Sequence, residues 1–326
     1  MNDLTAQVNE AIFCPLCDTK GLFVYKGLQG KLLSVPGSWD LLECANELCG
    51  LAWLFPRPTG GAIKRLYETY YTHGGAVDPR QRFDIGHRRK SISSQLRRWL
   101  RIDVARENAE LMYLDKAPPG RLLDVGCGDG GRLAKFAAKG WDVEGIDVDE
   151  AAIKHARAET GLKFTVGSLE TLSLPEGSYD AVVMNHVLEH VECPLDYLKE
   201  SRRLIAPGGY LVVRVPNFNS RGRDFFKDFW IGIDAPRHFF HFSSASLRRM
   251  AAALGMGNAQ VFPVNTSAEI MFTSSFMLRR NIPVNSPSSL GMAPRILSLF
   301  WQVLSGVDLH INPDKGEECV LIWRAP

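Results

Sequence analysis

The sequence lacks the features of secreted and membrane-spanning proteins. Its first residues, MNDLTAQVNEAIF, contain no basic stretch followed by an apolar core, which a secretory signal needs. It also contains no apolar run of roughly 18 residues, the length that a transmembrane helix needs. We therefore expect a cytoplasmic protein, whose cysteines stay reduced. We expect it to be a monomer or a homodimer.

The sequence also has little net charge. The 38 lysines and arginines nearly balance the 36 aspartates and glutamates, which leaves a net charge of +2. This balance argues against a surface devoted to nucleic acid. One segment differs, because residues 80–106 hold nine basic residues and only two acidic ones. Two interpretations of it stay open: a solvated helix face, or a surface that binds a nucleotide diphosphate, a lipid phosphate or RNA.

Between residues 121 and 215, short apolar strands alternate with helices. Strands are predicted at 121–125, 141–146, 163–166, 179–184 and 210–215, with helices at 132–139, 150–159 and 195–205. This alternation predicts an α/β fold with a doubly wound parallel sheet. Further along the chain, residues 246–254 have a helical pattern, and 259–264 and 319–323 are predicted strands.

A glycine-rich turn connects the first of these strands to the first helix. Its sequence, Asp124-Val-Gly126-Cys127-Gly128-Asp-Gly130-Gly131, allows a ligand to approach the backbone, and the helix N-terminus favours an anionic group. Asp147 ends the second strand, where a carboxylate can accept hydrogen bonds from ribose hydroxyls. The glycines also satisfy the dinucleotide pattern G-x-G-x-x-G, so NAD remains a candidate. A turn that merely packs a helix on a strand is a third interpretation.

Asp124 favours one of these ligands. It places a carboxylate two residues before the first glycine, within reach of a ligand amino group. S-adenosylmethionine (SAM) carries an ammonium group that this carboxylate could bind, whereas NAD carries none. The turn is therefore interpreted as a SAM site.

Five segments in register resemble successive motifs of class I SAM-dependent methyltransferases. They are DVGCGDG from Asp124, GID ending at Asp147, YDAVVMN ending at Asn185, HVLEHV from His186 and PGGYLVV from Pro207. The resemblance implies a Rossmann-like sheet of seven strands. It also implies that the bound cofactor is SAM and that these residues surround it: Asp124, Gly126, Cys127, Gly128 and Gly130 at the methionine moiety, Asp147 at the ribose, Ser168 and Leu169 at the adenine, and Asn185 and His186 at the sulfonium. Val148, next to Asp147, is a further expected cofactor-binding residue. Many relatives carry an aspartate where this chain has Ser168, so the adenine is expected to be recognised by backbone groups.

Four of the seven cysteines lie close together in the sequence. Cys14 and Cys17 form C-x2-C, and Cys44 and Cys49 form C-x4-C. Two such pairs suit a tetrahedral structural Zn²⁺ site with no open position. Cysteines without a metal are the alternative, and the second pair argues against a redox C-x-x-C. The stretch CGLAWLFPRP after Cys49 resembles the N-terminal module of deoxysugar C-methyltransferases and of polysaccharide-cluster methyltransferases, in which the module helps to form the substrate side of the cleft.

Histidines are the candidates for a catalytic base, because a hydroxyl or carbon acid must lose a proton near neutral pH. His238 lies in PRHFFHFS, which resembles the histidine-containing segment that faces the acceptor in this family. In the sugar C-methyltransferases a histidine there is tied to catalysis, so His238 is the predicted base and His186 the second candidate. The alternative is that His238 positions the substrate or packs against the neighbouring phenylalanines. The resemblance gives His190 a structural role.

These observations predict three regions. They are a zinc ribbon at 1–60, a helical linker at 61–117 and a SAM-binding domain at 118–326, with a cap insertion at 266–316. The apolar stretches Ile270–Leu278 and Ile296–Leu304 are expected to pack as this cap rather than bind lipid, and a peripheral membrane contact is left open.

The predicted function is methyl transfer from SAM to a small-molecule or glycan-precursor acceptor, at oxygen or carbon. Three alternatives stay open. The first is an RNA methyltransferase that uses the zinc ribbon and the basic segment, although nucleic acid is not the expected partner. The second is a SAM-binding module without catalysis, and the third is a dehydrogenase.

Overall fold

The structure is a computed structural model that describes residues 12–32, 35–58, 102–284 and 290–326. Most of the predicted helical linker, including most of the basic segment, lies outside these residues. Of that linker, helix α1 is described, at Ile102–Glu110. No helix within the described ranges is long and apolar enough to span a bilayer.

The chain folds into two compact units that are not continuous in sequence. The first contains the described residues up to position 58, Leu188–Leu195 and Val215–Leu321. The second contains residues 102–187, Asp196–Arg214 and Ile322–Pro326. Unlike these units, the regions predicted from the sequence follow the order of the chain.

The second unit is built on parallel strands connected by helices. Its elements are β4 (Arg121–Val125), α2 (Gly131–Ala138), β5 (Asp142–Asp147), α3 (Glu150–Thr160), β6 (Lys163–Val166), β7 (Tyr179–Asn185), α4 (Pro194–Leu204) and β8 (Ile205–Pro216). The structure confirms the predicted alternation, with boundaries shifted by a few residues. Strands β4, β5 and β7 are almost entirely buried, as expected for a sheet that is covered on both faces.

The larger sheet also contains β10 (Gln260–Val264) and β11 (Glu318–Arg324), and its order is β10-β11-β8-β7-β4-β5-β6. This confirms a Rossmann-like sheet of seven strands. The five strands from β8 to β6 pair in parallel, and β4 pairs with both β5 and β7. The chain reverses direction across the sheet beside β4. In parallel sheets, ligands bind at such a reversal, outside the carboxyl ends of the strands.

The first unit contains a four-stranded sheet. Strands β1 (Gly21–Gly30), β2 (Val35–Cys44) and β3 (Ala52–Phe55) form an antiparallel meander, and β9 (Phe240–His241) pairs with β3. The N-terminal strands share one buried cluster with later residues, including Leu41, Leu54, Phe218 and Trp230. A segment with so few apolar residues cannot build a core alone, and here the later residues complete that core.

The rest of the first unit is mainly helical. It contains α5 (Arg221–Phe226), α6 (Ser244–Ala253), β10 (Gln260–Val264), α7 (Ala268–Arg279), α8 (Met292–Ile311) and most of β11 (Glu318–Arg324). Helix α7 buries Met271, Phe272 and Met277, so the first apolar stretch packs as expected. The second stretch does not, because Ile296, Phe300 and other large apolar side chains of α8 are exposed.

Candidate functional site

The glycine-rich turn after β4 adopts a backbone that side chains disfavour. Gly126, Gly128 and Gly130 have φ values of 70°, 54° and 74°, in the left-handed region. A Cβ on Gly126 would lie 2.4 Å from Val187, and one on Gly130 would lie 2.6 Å from Phe164. A Cβ on Gly128 would meet nothing within 4 Å. The turn therefore packs tightly at both ends and leaves open space at Gly128, where a ligand can approach the backbone.

Asp147 ties this turn to the end of β5. Its Oδ2 accepts a hydrogen bond from the N–H of Gly128 at 2.9 Å, and its Oδ1 accepts one from the N–H of Asp149 at 2.9 Å. Burial raises the pKa of this carboxyl group, while the two N–H donors oppose that shift. Each carboxylate oxygen has a second lone pair, so two ribose hydroxyls could still donate to Asp147.

Asp124 lies at the centre of the sheet, in β4, and is fully buried. Neither of its carboxylate oxygens has a hydrogen-bond partner among the described residues. Nη1 of Arg132 lies 3.8 Å from Oδ2. Burial raises the pKa of Asp124 to about 6, and the charge of Arg132 opposes this shift. A buried carboxylate without a donor is costly, and a ligand that brings an ammonium group would satisfy it.

Arg132 is a site residue that the sequence reasoning missed. It is the second residue of α2, directly behind the glycine turn, and burial lowers the pKa of its guanidinium group. A cation in the first turn of a helix opposes the helix dipole. That unusual position is the signal in the sequence that could have revealed the partner of Asp124.

Ser168 and Leu169 form a turn after β6. The N–H of Ser168 donates to Oγ1 of Thr171 at 2.9 Å, and the two hydroxyl groups lie 3.4 Å apart. The hydroxyl of Tyr197 also contacts Ser168 and the backbone of Leu169. The backbone N–H and the hydroxyl group of Ser168 are thus both engaged within the protein. Val148, after β5, is exposed.

Asn185 and His186 follow β7. Oδ1 of Asn185 accepts a hydrogen bond from Nε of Arg214 at 2.6 Å, and Nη1 of Arg214 donates to the carbonyl of Ala109 at 3.4 Å. His186 has a positive φ of 55°, and its N–H donates to the carbonyl of Arg214. Arg214, which the sequence reasoning also missed, thus holds both residues. The feature of the sequence that could have revealed Arg214 is a single charged residue within the apolar strand VVRV.

A family model described as "Methyltransferase domain" matches residues 95–261, about half of the chain. The chain belongs to the methyltransferase domain family. It therefore carries a SAM-dependent methyltransferase domain.

Several known proteins are similar to parts of this methyltransferase chain. An uncharacterized 37.1 kDa protein in a transposon of Streptomyces fradiae is 29% identical, over 61% of this chain and 62% of its own length. The 2-methyl-6-phytyl-1,4-hydroquinone methyltransferase of Synechocystis is 38% identical, over 35% of this chain and 37% of its own length. The matches thus cover less than two thirds of each of these relatives.

A solved structure shares the fold. The crystal structure of the [4+2]-cyclase SpnF has a TM-score of 0.50 and 20% identity, and the match covers 83% of this chain and 97% of that one. At this identity the similarity supports the methyltransferase fold and not a particular reaction. It agrees with the Rossmann-like sheet described above.

In the first unit of the methyltransferase chain, three histidines lie close together. The ring centroids of His190 and His238 are 4.6 Å apart, and those of His238 and His241 are 6.1 Å apart. Each ring has a hydrogen bond to a backbone carbonyl: His190 to Arg237, His238 to Gly232 and His241 to Ile233. Burial, aided by the charge of His238, lowers the pKa of His190 and of His241 to about 3.

Asp234 and Glu189 supply negative charge beside these histidines. Oδ2 of Asp234 lies 3.8 Å from Nε2 of His238 and also pairs with the buried Arg237. Ligand atoms of Glu189, His190 and His238 lie within 4.8 Å of one another. The predicted base is therefore part of a compact polar cluster, and the predicted structural role of His190 agrees with its hydrogen bond to Arg237.

The four N-terminal cysteines of the methyltransferase chain also come together. All four Sγ atoms lie within 4.8 Å of one another. The Cys14–Cys49 pair is 3.7 Å apart and the Cys17–Cys44 pair 3.4 Å apart. Tetrahedral Zn–S bonds of about 2.3 Å place sulfur atoms roughly 3.8 Å apart, so the residues fit a zinc ion.

Proposed function

We propose that this chain transfers a methyl group from SAM to a small-molecule or glycan-precursor acceptor, at an oxygen or a carbon atom. The observation that carries the proposal is the buried carboxylate of Asp124, which has no hydrogen-bond donor among the described residues. The α-ammonium group of SAM would supply the missing hydrogen-bond donor. NAD brings no such group to this position.

In this proposal, residues of the second unit hold the rest of the cofactor. Asp147 would accept hydrogen bonds from the ribose hydroxyls, and Val148 with the turn at Ser168 and Leu169 would hold the adenine. The backbone from Gly126 to Gly130 would hold the methionine moiety, with open space at Gly128. SAM supplies an electrophilic methyl group when bound, and the protein aligns the acceptor and excludes water.

We further propose His238 as the group that removes the acceptor's proton. Because the carbonyl of Gly232 must accept from Nδ1 of His238, at 2.8 Å, the lone pair is on Nε2. A proton taken up at Nε2 would face the carboxylate of Asp234, 3.8 Å away, which stabilises the cationic ring. The low pKa values of His190 and His241 keep those rings neutral, so they are the poorer bases. His186 remains the second candidate.

The N-terminal cysteines would hold a structural zinc ion in this proposal. Four thiolates complete a tetrahedral shell and leave no position for a catalytic water. The ion would fix the two cysteine turns beside the β1–β2 hairpin and stabilise the first unit. The similarity to a hydroquinone methyltransferase supports a small-molecule acceptor, and the N-terminal module supports a saccharide one.

The function is tested first by cofactor binding and then by transfer. Isothermal titration calorimetry of the full chain should show binding of SAM and of S-adenosylhomocysteine, and none of NADH. Methyl-tritiated SAM is then incubated with the chain and one of three acceptor sets: hydroquinones, nucleoside-diphosphate deoxysugars or total RNA. We expect tritium in one of the first two sets. Tritium in RNA alone would overturn the acceptor class, and lack of SAM binding would overturn the function.

A further inference from the structure

Helix α8 is amphipathic, but it buries polar side chains and exposes apolar ones. The side chains that it buries are polar, namely Ser298, Gln302 and Ser305. Most of its large apolar side chains are exposed, and an exception is Trp301, whose ring packs against Phe226 and Phe272. A surface helix of a globular protein normally does the opposite, because apolar burial is what holds such a helix in place.

Hydrogen bonds hold the polar face of α8 against α7 and the segment before it. The side chain of Gln302 accepts from the N–H of Glu269 at 3.0 Å and donates to the carbonyl of Asn265 at 2.6 Å. The amide of Asn265 also donates to the carbonyl of Ser305. Residues early in α7 thus face residues late in α8, so the helices run antiparallel. These bonds fix which face of α8 turns outward.

The outward face of α8 is a continuous apolar stripe. Its exposed members are Met292, Ile296, Leu297, Phe300, Leu304, Val307 and Ile311. The spacing of four between Met292, Ile296, Phe300 and Leu304 aligns them along one side of the helix. Met292 is 80% exposed and Ile311 is 73% exposed, so both ends of the stripe are open. A contiguous exposed patch of this kind marks a surface for a partner or a membrane.

Three arginines lie at one end of the stripe. Arg295 lies in the first turn of α8, and Arg279 and Arg280 end α7. The antiparallel arrangement brings all three to the same end of the helix pair, and all three are exposed. The single acidic residue of α8, Asp308, is held by a bidentate ion pair with Arg221. The face therefore offers apolar side chains and arginines, a combination that suits anionic headgroups above acyl chains.

We propose that α8 binds the surface of an anionic lipid bilayer, lying in the plane of the interface. The apolar stripe enters the acyl boundary, and the three arginines contact the headgroup phosphates. This inference does not depend on the proposed methyl transfer, since it concerns a surface and not the cofactor. From the sequence, Ile296–Leu304 was expected to pack inside a cap instead.

Vesicle co-sedimentation of the full chain tests this surface. We expect binding to vesicles of phosphatidylglycerol and phosphatidylcholine, and at least about tenfold weaker binding to phosphatidylcholine alone. The double variant Ile296→Ser/Phe300→Ser should lose binding to both kinds of vesicle. The triple variant Arg279→Gln/Arg280→Gln/Arg295→Gln should lose only the preference for the anionic vesicles.

A matched control is the double variant Leu22→Ser/Val104→Ser, which removes two exposed apolar side chains that are 60% and 64% accessible. It should bind vesicles like the wild type. Circular dichroism and SAM titration confirm that each variant is folded. Equal binding by the wild type and the Ile296/Phe300 variant would overturn the proposal. It would also be overturned if light scattering showed a dimer that this variant dissociates, with no vesicle binding by either protein.

Discussion

The carboxylate of Asp147 accepts a hydrogen bond from the backbone N–H of Gly128, 2.9 Å from its Oδ2. This contact joins the end of β5 to the glycine turn that follows β4. The turn has no side chain of its own at Gly128 to fix it. Asp147 therefore has two tasks in the proposed site: it holds the turn in place and accepts the ribose hydroxyls.

Asp147→Asn should weaken SAM binding by about 10- to 100-fold, because it replaces charge-assisted hydrogen bonds with neutral ones and presents an amide donor to the N–H groups. Calorimetry measures the affinity. The control is Asp142→Asn at the exposed start of the same strand, which should bind SAM like the wild type. Unchanged affinity in Asp147→Asn would show that the ribose does not bind there.

Asp124 should make SAM affinity depend on pH. Its pKa is raised to about 6, so the free protein increasingly holds a protonated, uncharged Asp124 below that pH. Only the ionised form pairs with the ammonium group of SAM. Affinity should therefore fall roughly tenfold per unit as pH decreases below about 6, and Asp124→Asn should bind weakly with a flat profile. A wild-type affinity that is constant between pH 5 and pH 7.5 would contradict this assignment.

Asp124 should also lower the free energy of unfolding of the SAM-free protein at neutral pH. A carboxyl group whose pKa is raised on folding destabilises the folded state increasingly as pH rises from about 4, its unfolded pKa, and by the full amount above about 6. We therefore expect Asp124→Asn to raise the free energy of unfolding by about 1–3 kcal/mol at pH 7.5 and to change it little at pH 4. Thermal denaturation without SAM at both pH values measures this. A less stable variant at pH 7.5 would show that Arg132 already compensates for the charge.

The sequence predicted the second unit well because its signals are local. Apolar runs mark β4 to β8, and the glycines with Asp124 and Asp147 mark the turn between them. It did not predict the roles of Arg132 and Arg214, because the local signal of each arginine does not show which distant residue it contacts. It also did not predict the first unit, in which residues of the N-terminal strands and the later segments share one core.

The orientation of α8 could not be predicted from the sequence, for a different reason. Its apolar residues follow a helical period, which predicts a helix but does not say whether the apolar face turns inward. The buried partners of Gln302 and Asn265 decide this, and they are hydrogen bonds between residues about 37 positions apart. Periodicity carries no information on such contacts, so Ile296–Leu304 was expected to pack.

The proposed zinc ion predicts a metal content close to one per chain. Cys49→Ser should lose most of the zinc and lower the melting temperature by several degrees, because three remaining thiolates hold the ion poorly and the buried turns lose their link. Elemental analysis and thermal denaturation measure the two effects. Cys193→Ser, at an exposed cysteine outside the cluster, is the control and should keep both values. Purified wild type without zinc, and indifferent to chelators, would contradict the site.

His238 is the proposed general base. Replacing it by glutamine should lower kcat by about 10²- to 10⁴-fold, the usual contribution of a general base, and leave the affinity for SAM unchanged. The acceptor for this measurement is the compound that takes up tritium in the transfer assay. His155→Ala, a histidine on α3, serves as the control and should keep full turnover.

The variant Asp234→Asn tests whether His238 acts as a base or only packs against the acceptor. If His238 takes up the proton at Nε2, loss of the carboxylate 3.8 Å away destabilises the resulting cation and should lower kcat at saturating acceptor. If His238 only shapes the acceptor pocket, both variants should raise KM and leave kcat in place. Full turnover in His238→Gln would remove it as the base and leave His186, whose position after β7 is the second prediction from the sequence.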